Sequence, residues 1–433
     1  MKRSSLLLST LCIVVLAAAC DDAEPTPNTN TGKTFLATNQ ATLKMGSADN
    51  AEVVRVFPSG DAGLLVSSKA RKLTRLAIAT DALSVSREKT LFPNDPSESE
   101  LTSLAIAPNG AWAALTRTFI EVDGAGAQVD CGGSVVLVDV SDSAQFGEVL
   151  AEVPVGPMPD AVAISPNGEW MAVANERDGP DAWGKCELAG EQASLSLIEL
   201  SGGPAQASES KRIVMVDGST GPREPESVAI GADNDTVVST LQDSHELAIF
   251  KRSDILQVGQ PSSADVSIVA LPKNAIGAGP WPDGVGRIED GAGNEFFAVA
   301  GEWNDTMTIV AADGSIVSSI DISERDLPGN LVRVVKAEYP LFSPDSVAFF
   351  RYGGTPFVAL SLRHSGALVF YDVSDAAAPS YAGTVQVGEQ ELGKSDEDGS
   401  SIRPEGVGAA ADGAFLLSAN EGESSVTLVR PVE

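Results

Sequence analysis

Histidine is nearly missing from this chain: His245 and His364 are the only two in 433 residues. Neither falls in an HExxH or H-x-H spacing, so the common histidine-based metal and acid–base sites are excluded, and both read as ordinary loop residues. No GxSxG elbow, Walker loop or CxxC pair stands in a chemical context, which removes the enzymes recognisable by those motifs. Positive charge is scarce as well, with 29 Lys and Arg against 60 Asp and Glu and a net charge of −31. Such a surface repels nucleic acid and anionic lipid, and tolerates cations, calcium among them. A bilayer-spanning run is lacking too. The apolar stretch at 6–16, behind Lys2 and Arg3, is too short to cross a membrane and reads as a secretory signal over residues 1–19.

What the chain does have is apolar residues, 43% of the total, and a repeat built from them. The clearest copy is PDAVAISPNGEWMAVANE at 159–176. Six more align on its turn, at 52–69, 102–118, 226–242, 283–302, 345–363 and 405–421. Each is two runs of Val, Ala, Ile and Leu about a PNG, ADN or ADG turn, the signature of a β-hairpin. Nearly every position in the runs is apolar, as expected of inner strands covered on both faces.

Two further strands follow each hairpin, for example SLSLIEL (194–200) and KRIVMVD (211–217) after the third copy. Four strands per repeat, set radially, make a β-propeller blade, so the fold class is all-β with seven four-stranded antiparallel blades. The last copy has only one further strand, SSVTLVR (424–430), before the chain ends. TFLATNQATLK (34–44) can supply the missing outer strand and close the ring, removing an exposed edge. Trp112 and Trp170 fall in one slot of the second strands, with Phe297, Phe357 and Phe415 at or near it, and read as blade packing.

These repeats resemble the YVTN or lactonase-like seven-bladed propellers, whose blades carry P-x-x-V-A-[IV]-S-P-[DN]-G followed by a strand ending near A-N. The PEGV and SANEG of the last copy and the ANE of the third also resemble the choice-of-anchor I bacterial propellers. The resemblance implies a fold over 34–433; it implies little about activity, because propellers host many functions. LAAAC at 16–20 resembles a bacterial lipobox with Cys20 as the lipidated residue, which implies a membrane anchor on the cell envelope, outside the cytoplasm. The domains are then a signal at 1–19, a polar, Pro-rich tether at 20–33 and the propeller at 34–433. With Cys12 lost in the signal and Cys20 lipidated, Cys131 and Cys186 remain as a pair on adjacent repeats, suited to a disulfide in an exported compartment.

The repeat also sorts the polar residues. Those opening the first strands share one face of a propeller with those ending the second strands. The first set, around the axis, is Glu52, Thr102, Asp160, Glu226, Asp283, Asp345 and Glu405. The second is Lys69, Thr118 with Arg117 beside it, Glu176, Gln242, Glu302, Arg363 and Glu421. So many carboxylates at one mouth repel one another unless a cation sits among them. One reading is a ligand site at Asp160, Glu226, Asp283, Asp345, Glu405 and Arg363, where the five acids suit Ca²⁺, the one cofactor in view. The other is that each acid caps backbone N–H groups of its own loop or pairs with Lys69, Arg117 or Arg363.

The longer connections, at 119–132, 177–192, 273–282, 324–344 and 388–402, are expected on this same face. The SDEDG run at 395–399 reads as a solvated loop, since it lacks calcium-loop spacing. The leading expectation is a monomeric, membrane-tethered module, binding a protein, peptide or glycan or serving as a scaffold through its long-loop face. The alternative is a metal-assisted hydrolase, a lactonase or phosphoesterase, with Glu176, Glu302 or Glu421 as general base.

Overall fold

The Val, Ala, Ile and Leu runs become strands whose side chains are buried on both faces, because each inner strand packs between two neighbouring sheets. Trp170–Asn175, WMAVAN, is buried at every position. In the computed structural model the described residues are 32–46, 49–95, 99–122, 128–177, 192–218, 222–275, 277–322, 327, 342–389, 395–396, 399–400 and 402–432. Gly32–Glu433 forms one compact unit. The signal, Cys20, most of the tether and Cys186 lie outside the described residues, as do most of 177–192, 324–344 and 388–402.

The unit is a seven-bladed β-propeller: seven four-stranded antiparallel sheets in a ring. Blades 1 to 6 are each four consecutive strands. Blade 3 runs Pro159–Ile164, Trp170–Asn175, Ser194–Glu199 and Ser208–Val214 from the axis outward. Its first turn is closed by Gly168 N–H to Ser165 O at 2.8 Å, and Gly168 has φ 71°, a left-handed value glycine takes without steric cost.

Blade 7 supplies only Pro404–Ala409, Leu416–Asn420 and Ser425–Pro431 from the C-terminal end of the chain. Its outer strand is Ala37–Lys44, antiparallel to Ser425–Pro431. Phe35 anchors this closure. It is 1% exposed and lies 4.8–5.4 Å, centroid to centroid, from Phe350, Tyr352, Phe357 and Phe370.

The core consists of apolar layers between blades rather than one central mass. Trp170, Ala172 and Ala174 of blade 3 pack on Val228, Ile230 and Val237 of blade 4. Trp112, Trp170, Phe297, Phe357 and Phe415 are all buried in such layers, as blade packing requires.

Two connections differ from the sequence expectation. Residues 119–132 are mostly strand: Trp112–Val122 and Gln128–Asp139 pair from Trp112 and Asp139 outward to Val122 and Gln128. The β-branched and aromatic residues Thr118, Phe119, Ile120 and Val122 carry the ladder past the point where the other blades turn. Residues 395–400 contain two short paired strands, Ser395–Asp396 and Gly399–Ser400, instead of an irregular loop. A one-turn helix, Arg252–Ile255, follows the third strand of blade 4, Glu246–Lys251.

Candidate functional site

Every inner strand opens with the same irregularity. The ladder to the second strand slips between Ala51 and Val53, Leu101 and Ser103, Pro159 and Ala161, Pro225 and Val228, Pro282 and Val285, Pro344 and Val347, and Pro404 and Gly406. A bulge leaves its extra residue out of the ladder and re-aims the side chain. The residues within these slips include Glu52, Thr102, Asp160, Glu226, Asp283, Asp345 and Glu405, the axial set expected from the repeat. All seven line one cavity of about 280 Å³ on the axis.

The chain enters these bulges under strain. Met158, Trp281, Ser343 and Arg403 have φ of 49°, 41°, 57° and 45°, and each directly precedes a proline. A residue before proline avoids helical values, and a non-glycine residue rarely takes positive φ. Their carbonyls are held by the N–H groups of Glu176, Glu302, Arg363 and Glu421 at 2.9–3.0 Å. This bond defines the second-strand set: its member in blade 1 is Ser68, bonded to Asn50 O at 3.0 Å, rather than Lys69. The strand ends at Ser67, two residues before Lys69.

Hydroxyls on the preceding blade pin the backbone of the acids. Thr116, Thr240 and Ser361 reach the carbonyls of Asp160, Asp283 and Glu405 at 3.5, 2.9 and 3.2 Å. Thr102 donates to Pro159 O at 2.6 Å and is structural. Two glycines bring inner strands together: an ideal Cβ on Gly284 would lie 2.3 Å from Asp345 O, and one on Gly406 2.5 Å from Glu52 O. Asp283 is thereby set beside Asp345, and Glu405 beside Glu52.

Three of the carboxylates are left for other work. Among the described residues those of Asp160, Asp283 and Asp345 accept no hydrogen bond, so they do not cap their own loops. Arg117 is not their counterion; it pairs outward with Asp95 at 2.6 Å and Glu152 at 2.7 Å. Arg363 is at the mouth, 2.8 Å from Glu405 and 3.5 Å from Glu302.

Burial, reinforced by the neighbouring carboxylates, pushes Glu52, Asp160, Asp283 and Asp345 well above the carboxylate range. Glu405 rises to about 8, because its burial outweighs the attraction of Arg363. Glu421 goes the other way: burial raises it, but a hydrogen bond with Glu405, the charge of Arg363 and a 2.8 Å bond from Asn50 Nδ2 together bring it below the usual value.

The three general-base candidates lie outside the cavity lining. Glu302 accepts from Ser343 Oγ at 3.0 Å beside Arg363, and Glu421 is held by Asn50. Glu421 does join Glu52 and Glu405 in a trio offering carboxylate oxygens within 4.8 Å of one another. Glu405, a candidate metal ligand, and Glu421, a candidate base, thus share one spot with Glu52, an axial acid to which the sequence assigns no role.

It missed Arg55, which also lines the cavity. The repeat held a signal for it: three residues past each axial position the other six strands carry Ala105, Ala163, Ala229, Gly286, Ala348 and Gly408. Cys131 is 3% exposed against Ile120 and Met158, and its expected partner lies outside the described residues. His245 packs on Trp281 with ring centroids 6.2 Å apart, and burial lowers its pKa.

No family model matches the sequence, and no curated protein matches it. Solved structures do. The fold is similar to that of a periplasmic gluconolactonase from Pseudomonas aeruginosa, with TM-score 0.58 and 14% identity over 88% of this chain and 91% of that one. It is similar to hydrazine synthase from Kuenenia stuttgartiensis, with TM-score 0.57 and 15% identity over 90% and 97%. Virginiamycin B lyase from Staphylococcus aureus gives TM-score 0.56 and 12% identity over 92% and 100%. At these identities the likeness is one of fold alone.

Proposed function

We propose that the protein is a lipid-anchored, extracytoplasmic binding module that seats a positively charged group of its ligand in the axial mouth. The observation that carries this is the convergence of six acids, one from each blade except the second, on one cavity of about 280 Å³. Arg363 serves two of the nearby carboxylates, while burial and mutual repulsion raise the pKa of Glu52, Asp160, Asp283 and Asp345, a strain that a bound cation relieves. The anchor at Cys20, the tether at 20–33 and a Cys131–Cys186 disulfide complete the reading, with the long-loop face turned to the partner.

Calorimetric titration of the mature chain at pH 7.5 with calcium chloride, and separately with hexylamine, tests it. Saturable binding of at least one, weakened about tenfold or more in Asp160→Asn/Glu226→Gln, is expected. No saturable heat with either ligand rejects the reading.

A second reading has its own observation. Glu52, Glu405 and Glu421 are spaced as ligands for a hard cation, which would polarise a lactone or phosphoester bound beside it. Turnover of gluconolactone or a nitrophenyl phosphodiester that chelator abolishes and calcium restores supports the hydrolase. Metal-independent binding without turnover supports the binding module alone.

A further inference from the structure

Six of the seven inner strands carry alanine or glycine three residues past the axial position, and the seventh carries Arg55. Three residues of strand are roughly 10 Å, so Arg55 lies one level further along the axis than the ring of acids. It lines the same cavity as those acids. In a chain with 60 Asp and Glu it forms no ion pair among the described residues.

Its hydrogen bonds both use Nη1 and both go to backbone carbonyls, Val54 O at 3.0 Å and Val407 O at 3.4 Å. Nε and Nη2 make none among the described residues. Burial without a compensating carboxylate pulls the guanidinium down to about 10.

A guanidinium with two nitrogens, Nε and Nη2, to spare is shaped for an oxyanion, above all a carboxylate taken by two parallel N–H groups. A simple anion gains nothing from protonated acids at the mouth, whereas a cation gains by displacing their protons, so the cavity favours an anion that carries a cation at its other end. We infer that the axial cavity is a site for a small zwitterion, whose ammonium group sits among Glu52, Asp160 and Asp283 while its carboxylate is held by Arg55. This rests on the cation-binding reading of the mouth and adds the ligand class. Symmetry is broken as a ligand site requires: the acids recur around the ring, and of the two arginines that line the cavity Arg363 is paired with Glu405 and Glu302, whereas Arg55 has no carboxylate partner among the described residues.

The test is titration of the mature chain with a series of ω-amino acids of about four to eight carbons, lengths chosen to span roughly 10 Å of strand, each against its alkylamine and its alkanoate. At least one ω-amino acid is expected to bind about tenfold or more tighter than the matching amine. That preference should vanish in Arg55→Gln and survive in part in Arg55→Lys, with alkylamine binding no weaker in Arg55→Gln, where a nearby positive charge has been removed. Alkylamines that bind as well as every ω-amino acid, or a preference that persists in Arg55→Gln, overturn the Arg55 site and leave the cationic mouth standing. Calcium binding with no amine binding overturns the zwitterion and also leaves the mouth standing. No binding of calcium or of any amine overturns both. Should Arg55→Gln fail to fold, a preference that Arg55→Lys and wild type both lack is enough to overturn the inference.

Discussion

Arg363 occupies in blade 6 the place that glutamate holds in blades 3, 5 and 7, and it joins two of the carboxylates at the mouth. It is 2.8 Å from Glu405 and 3.5 Å from Glu302, and Glu405 raises its pKa most. Removing one partner of a buried pair leaves the other charge uncompensated, at about 3–5 kcal/mol when burial is complete. The Arg363 side chain is 34% exposed, so solvent screens part of this. Arg363→Gln is expected to destabilise the chain by about 1–3 kcal/mol in urea melts at pH 8, with a smaller loss at pH 5, where Glu405 holds its own proton. Equal losses at both pH values contradict this account of the pair. The polar residues of the mouth could be named from the sequence because they recur with the repeat. Their pairing could not, since Arg363 reaches Glu405 across a blade boundary and Asn50 reaches Glu421 from the far end of the chain.

At the scale of the strand, the bulge is what turns a sheet edge into a site. The sequence shows that Pro-Asp or Pro-Glu opens five of the copies, and the alternation after it identifies an inner strand. A one-residue slip leaves no mark in an apolar run of Val and Ala, so the aim of the acids had to come from the structure. The same limit misplaced one end: Lys69 looked like the close of a strand that stops at Ser67. The closing strand was legible, because blade 7 lacked a partner for its third strand and a stretch of alternating residues stood spare at the other end. Its hold depends on Phe35 more than on the ladder, since Ala37–Lys44 has no buried side chain. Phe35→Ala is expected to cost about 3–5 kcal/mol, and proteolysis at low denaturant should then cut first near residues 37–44. A loss below about 1 kcal/mol indicates that the ring closes by other contacts.

For the whole molecule the decisive quantity is the charge held on the axis. Glu405 goes from an ordinary 4.5 to about 8 in the folded chain, and four further axial acids move in the same direction. The folded state keeps these protons where the unfolded chain gives them up. The stability they contribute is full below about 4.5 and is lost as pH climbs through about 8. Without a cation, Tm should therefore fall steadily from pH 5 to pH 9, and a saturating cation should flatten the decline. A Tm that rises over that interval contradicts the assignment.

The same protons give the most direct test of the mouth. Glu405, raised to about 8, is largely protonated at pH 7, so a cation entering the mouth should release about one proton, read as a heat of binding that changes with the ionisation enthalpy of the buffer. Titration of the mature chain with calcium chloride or hexylamine in two buffers of different ionisation enthalpy makes the measurement. Buffer-dependent heat corresponding to proton release, lost in Asp160→Asn/Glu226→Gln, is the predicted result; saturable binding with the same heat in both buffers, or no binding at all, contradicts it.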